Sequence, residues 1–207
     1  MHSEAIDQLL SRALERPVRF EWAGSFADSL VGRFDGVSLE LAGVATAWLS
    51  IERLTLRAAH AHLHPGLPAR LAVESPEVAV TVGQRDVDPW VAGLGLPFGL
   101  ELTEKGLRVH TEVAGLPVSD FETRLEVAQG WFVLRPQRAA VLGVPNALAR
   151  FFRTYLPLPP LAAGVRLTEI EHGAGELTLH FGVDDFEEDL TPGMIRRLRR
   201  RLVPWVG

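Results

Sequence analysis

A chain of 207 residues, 47% apolar and 23% charged, is long enough for one large domain or two small ones and apolar enough to bury a core. That balance excludes intrinsic disorder, and the sequence holds no uncharged apolar run of about 18 residues that could cross a membrane as a helix. A net charge of -5 argues against a general nucleic-acid binder, and zero cysteines remove disulfides, thiolate metal sites and a thiol nucleophile.

The start, Met1 to Asp7, has neither the basic residues nor the apolar stretch of a signal peptide. As written, the chain reads as cytoplasmic or membrane-peripheral, or as a cell-envelope protein whose leader has been removed. Ser3 then opens a predicted helix over 3–16, in which Ile6, Leu9, Leu10, Ala13 and Leu14 share a face and Pro17 ends the run. From Val18 onward the apolar period drops to two. Val18, Phe20 and Trp22 alternate with charged residues, as do Val37, Leu39 and Leu41. A long segment from Leu54 to about Leu63 stops at Pro65-Gly66, and the phase change at Pro76 predicts a bulge or strand break before Val78, Val80 and Val82.

The second half repeats the pattern. Phe98, Leu100 and Leu102 turn at Glu104-Lys105-Gly106 into Leu107, Val109 and Val113, and Phe121 to Val127 turns at Gly130 into Trp131 to Leu134. Val165 and Leu167 precede a turn at Gly173–Gly175, and Leu177 to Val183 follow it. Helices are expected at Arg85–Leu94, at Asn146–Tyr155 and, with Thr191 as N-cap and Pro192 at the first position, over 191–203. The sequence therefore predicts one α+β domain over 1–207: a long, strongly curved antiparallel sheet spanning 18–183, rolled against a few short helices. One-sided strands outnumber the helices that could cover them, which leaves room for an apolar groove, although the strand pattern by itself favours an ordinary filled core.

Few residues point to chemistry. His60, His62 and His64 alternate on one strand face, the spacing of a zinc chelate, but no acidic neighbour in sequence completes a ligand set, and a solvated polar face accounts for them. Asp184, Asp185, Glu187, Glu188 and Asp189 lack the loop spacing of a calcium site and read as acids complementing a following helix. The last helix carries Arg196, Arg197, Arg199, Arg200 and Arg201 around Ile195, Leu198 and Leu202, the profile of an anionic membrane contact or of a solvated terminal helix. Gly93, Gly95 and Gly99 follow a helix rather than a strand and read as a turn. No nucleophile elbow, phosphate loop or zinc-protease signature occurs.

The stretch Ser25-Phe26-Ala27-Asp28-Ser29-Leu30-Val31-Gly32-Arg33-Phe34-Asp35-Gly36-Val37 resembles the early signature of the actinobacterial LmeA-like phospholipid-binding family. Val87-Asp88-Pro89-Trp90-Val91, the proline-rich Leu156 to Pro159 and Gly164 to Thr168 are similar to later elements of that family, so the likeness spans roughly residues 5 to 185. The resemblance implies an envelope lipid-binding protein with a tubular-lipid-binding-like sheet, no cofactor and no catalytic residues. It transfers no binding residue by position. Alternation supplies the candidates instead: Leu54, Leu56, Val78, Val80, Leu100, Leu102, Val109, Leu125, Trp131, Phe151 and Phe152 to line the groove. Arg196, Arg197 and Arg200 are the candidates for head-group contact. The expected function is non-enzymatic binding of a phospholipid or other acyl lipid. The alternatives are an interaction or scaffold protein with a filled core and, less favoured, a histidine-based metal hydrolase.

Overall fold

The computed structural model describes residues 4–14, 17–45, 50–93, 98–113, 116–129, 131–146, 153–157, 161–191 and 193. Its strands are antiparallel throughout and divide into two sheets rather than one continuous roll. The first contains β1 (Val18–Glu21), β2 (Arg33–Ala45), β3 (Ser50–His64), β4 (Arg70–Glu74), β5 (Glu77–Gly83), β12 (Val165–Gly173), β13 (Glu176–Val183) and β14 (Phe186–Asp189). The second contains β6 (Gly99–Thr103), β7 (Gly106–Val113), β8 (Leu116–Ala128), β9 (Trp131–Val141), β10 (Val144–Pro145) and β11 (Thr154–Pro157). Among the described residues three helices accompany them: α1 (Glu4–Leu14), α2 (Phe26–Leu30) and α3 (Gln84–Gly93).

Period-two apolar patterning becomes two cross-strand rows. Val18, Leu41, Leu54, Val80, Leu179 and Ile170 stand side by side across β1-β2-β3-β5-β13-β12. Phe20, Leu39, Leu56, Val78, Phe181 and Leu167 form the next row. Because neighbouring strands present the same face, these side chains other than Phe20 build the main cluster together with Ile51 and Val183. Leu39, Leu56 and Leu179 lie partly buried against it, while Phe20 packs with Trp22 and Phe34. Leu10 of α1 and Leu125, Val127 and Phe132 of the second sheet pack onto it. From α1, Asp7 Oδ1 accepts the Phe20 N–H at 2.8 Å and Ser11 Oγ accepts the Val18 N–H at 3.0 Å, so the helix binds β1 by its backbone as well as its apolar stripe.

β3 is longer than any one partner. Its residues 53–57 pair with β5, while residues 60–64 pair with β4. The change of partner follows the break foreseen at Pro76: Ser75 adopts φ 48° and its N–H donates to Asp185 Oδ1 at 2.7 Å, which sends β4 toward β14 and β5 toward β13.

The two sheets meet at Gln84. Its backbone N–H donates to Gly175 O at 2.8 Å, and the Gly175 N–H donates to Leu102 O at 3.0 Å. The side-chain amide closes the ring, with Nε2 donating to Leu100 O at 2.7 Å and Oε1 accepting the Leu102 N–H at 2.6 Å. Gly175 turns at φ 76°, a left-handed conformation that a side chain would strain. Around this knot Val82, Val87, Val91 and Leu102 form a second buried cluster. His172 Nε2 and Leu125 O, 3.0 Å apart, add another bridge between the sheets.

Three expectations change. Residues 147–152 of the helix expected over Asn146–Tyr155 lie outside the described residues, but its end is β11, whose Thr154 to Pro157 pair with Trp131 to Leu134; the β-branched and aromatic pair Thr154-Tyr155 suits a strand, and β9 offers an open edge. Phe186–Asp189, expected to lead into a helix, forms β14 because β4 needs a partner beyond β3 and Arg70 supplies counter-charge to Glu187 and Asp189. α2 was not expected; Ser25 and Asp28 make a reciprocal capping box that starts it. The helix expected over 191–203 lies almost wholly outside the described residues.

Replacing Gln84 by Leu keeps the volume but leaves the Leu102 N–H and Leu100 carbonyl without their partner, and should cost about 2–4 kcal/mol of unfolding free energy. Urea unfolding measures this directly; a loss under about 0.5 kcal/mol would mean that apolar packing alone joins the sheets.

Candidate functional site

The second sheet has one apolar face and one charged face. Leu100, Val109, Phe121 and Ala139 form a row across β6 to β9, and Leu102, Leu107 and Thr123 form the next across β6 to β8. Leu125 faces Leu134, and Val127 faces Phe132. Leu125, Val127 and Phe132 pack against the core of the first sheet while remaining half-buried, as are Val109, Phe121 and Leu134. On the reverse face Arg108 grips Asp120 with two hydrogen bonds of 2.9 Å, which holds the Asp120 carboxyl below its usual range. The side chains of this sheet therefore offer apolar contact on one side and fixed charge on the other.

Among the groove candidates, Leu54, Val78, Val80 and Leu102 lie within the two buried clusters, between 1% and 5% exposed, and Leu56 packs against the first. Leu100, Val109 and Leu125 share the apolar face of the second sheet. Trp131, 44% exposed, falls on the opposite face, since it alternates with Phe132 along β9. Phe151, Phe152, Arg196, Arg197 and Arg200 lie outside the described residues.

The three strand histidines gain partners that sequence proximity could not reveal. Register places Asp35 of β2, His60 of β3 and Glu74 of β4 in one row, with Arg33 and His62 beside them. His60 Nδ1 lies 2.7 Å from Asp35 Oδ1, and this hydrogen bond raises the imidazole pKa above its usual 6.5, with smaller help from the charges of Asp35 and Glu74. The rings run as a ladder, His60 to His62 at 6.4 Å and His62 to His64 at 6.3 Å between centroids, the second pair stacked. Asp28, Arg33, Asp35, His60, His62 and Glu74 border an open concavity of about 420 Å³. Among the described residues, no group of three or more His, Asp or Glu side chains is arranged to hold a metal ion.

A second open concavity of about 340 Å³ is bordered by Glu40, Glu52, Arg53, Arg85 and Asp86 with parts of β2 and β3. Arg85 pairs with Glu52 at 2.8 Å there. Both concavities are polar and wide open, unsuited to enclosing a hydrocarbon chain.

The sequence pattern also did not single out an apolar tip. Phe26 and Leu30, 61% and 72% exposed, lie one turn apart on α2, and Val31 follows them. Gly32 joins them to Leu63: its carbonyl accepts the Leu63 N–H at 2.7 Å, and at φ 77° any Cβ there would collide with the Leu63 carbonyl. Leu67, fully exposed, projects from the turn between β3 and β4.

Asp35→Asn removes the carboxylate that favours the imidazolium, so the His60 pKa should fall toward 6.5, read from its ring-proton NMR shift against pH. The sign for stability follows: the His60–Asp35 pair contributes fully below pH 6.5 and loses its contribution as pH rises through the raised folded value. An unchanged His60 titration in Asp35→Asn would show that the contact is not maintained in solution.

No helix among the described residues is long and apolar enough to cross a membrane. Comparison with protein-family models, with curated proteins and with solved structures finds no match.

Proposed function

We propose that the chain is a non-enzymatic lipid-binding protein that holds acyl chains against the apolar face of its second sheet. The observation that carries this reading is the half-buried surface of Val109, Phe121 and Leu134, continuous along the strand registers with Leu100 and Leu125. Each methylene laid on such a surface gains roughly 0.8 kcal/mol when fully desolvated, and an open face recovers part of that. The sealed first-sheet core takes no share in binding. Its Leu54, Val78 and Val80 hold the scaffold, so the lipid-facing set contracts to Leu100, Val109 and Leu125, with Phe121 and Leu134 added. Phospholipid is the favoured class on the family resemblance, and handling of envelope lipids is the favoured setting.

A scaffold or interaction protein of the same fold is the second reading. It is favoured by the complete burial of Phe181, Ile51, Val78 and Val80, which leaves the interior of the first sheet filled by side chains.

Native mass spectrometry after gentle purification, with organic extraction of the same sample, separates the two. The lipid reading expects a co-purifying or exchangeable acyl lipid, and Val109→Asp or Phe121→Asp should lower its occupancy at least about tenfold by placing a charge on the binding face. A folded protein that neither carries nor accepts lipid would leave the scaffold reading standing.

A further inference from the structure

Among the described residues, Thr81 of the first sheet and Thr123 of the second are both buried, and only Thr81 is satisfied. Thr81 of β5 stands opposite Thr178 of β13, and their hydroxyls pair at 3.0 Å. Thr123 of β8, 7% exposed, has its Oγ1 shut off from solvent and makes no hydrogen bond among the described residues. The register explains this. Leu107 faces Thr123 from β7, and on β9 the partner is Pro136, which has neither a polar side chain nor an N–H to offer. A hydroxyl buried in this way costs free energy until something outside the chain meets it.

A second polar atom is left over on the same stretch. His172 Nε2 lies 3.0 Å from the carbonyl oxygen of Leu125, the residue that follows Thr123 on the same face of β8. A carbonyl only accepts, so Nε2 carries the proton and Nδ1 of the neutral ring is an acceptor, which is also buried without a partner. Around Thr123 the face is apolar and incompletely covered: Val109, Phe121, Leu125 and Leu134 are half-buried. Glu101, Arg108, Glu122 and Arg138 line up on the reverse face, so a carboxylate or phosphate sunk beside Thr123 would meet no cation.

On the basis of the lipid-binding reading of the second sheet, we propose that Thr123 and His172 receive the ester end of a long-chain acylglycerol. Thr123 Oγ1 donates to the ester carbonyl, and His172 Nδ1 accepts from a free glycerol hydroxyl. Such an ester is neutral, as the face requires, and offers the acceptor and the donor that the two side chains lack. The acyl chain lies over Val109 and Phe121, and a charged head group, where the lipid has one, stays in solvent. Apolar contact alone gives this face no choice among lipids; the orphaned hydroxyl supplies one.

Equilibrium dialysis of the full chain against monooleoylglycerol, oleoyl lysophosphatidylcholine and oleate, each kept below its micellar concentration, tests this. Monooleoylglycerol should bind at least about tenfold more tightly than oleate. Thr123→Val should lose roughly tenfold on the ester and little on oleate, whereas Thr123→Ser, which keeps the hydroxyl, should retain most of the affinity. Without ligand, Thr123→Val should unfold at the wild-type urea concentration or a higher one, because the lost hydroxyl had no bond to lose. Lysophosphatidylcholine binding with the same dependence on Thr123 supports a phospholipid source, and binding of monooleoylglycerol alone supports a neutral one. A lower urea midpoint for Thr123→Val, or unchanged ester binding by it, would overturn the proposal. Wild-type protein that binds oleate as tightly as the esters keeps the lipid-binding reading and loses the ester contact; protein that takes up no acyl ligand loses both.

Discussion

One strand organises the molecule. β3 carries Ile51, Leu54 and Leu56 into the core at one end and exposes His60 and His64 at the other. What changes along it is the company. Beside the leucines stand Val80 and Val78 of β5, and beside the histidines stand Arg70 and Glu74 of β4. The break at Ser75-Pro76 makes this exchange possible, since it frees β5 to pair with residues 53–57 and β4 with residues 60–64. Core and ionisable ladder are therefore successive stations on one ribbon.

The second sheet relates to the first through polar chemistry at a point and apolar chemistry around it. At Gln84 one residue serves three segments: the start of α3, the β12–β13 turn and β6. A hydrogen-bonded ring of this kind fixes register between sheets in a way that interdigitating valines and leucines do not, because apolar contacts tolerate sliding. The apolar face that runs from Leu125 to Val109 has Leu125 packed on the main core and Leu100 and Leu107 packed on the second cluster, with Val109 and Phe121 half-buried between them, the arrangement on which the lipid reading rests.

Much of the fold was legible in the sequence. Strand after strand showed period two, the helix near Gln84 was visible from Val87 and Val91, and the discontinuity at Pro76 announced itself by a phase change. The division into two sheets was not visible, because alternation specifies which residues face inward but not which strand each will pair with. Groove candidates drawn from alternation consequently mixed the two sheets: Leu54 and Val80 share the period of Val109 and Leu125 and differ only in what covers them. Asp35 was hidden as the partner of His60 for the same reason, being close only through the β2–β3 register. The tip residues escaped notice because Phe26, Leu30 and Leu67 have no period; only their exposure sets them apart.

The contact between α1 and β1 has a consequence for how the molecule behaves in a crowd. β1 is the outermost ribbon on its side of the first sheet, and Val18 and Phe20 would otherwise present amide donors to any passing extended peptide. Asp7 and Ser11 occupy those donors from within the same chain. A copy seeking to extend the sheet by strand addition must first displace the helix, along with the Leu10 side chain that roots it. The amino-terminal helix is in this sense a stopper, keeping a molecule built almost wholly of ribbons from becoming a template for its neighbours.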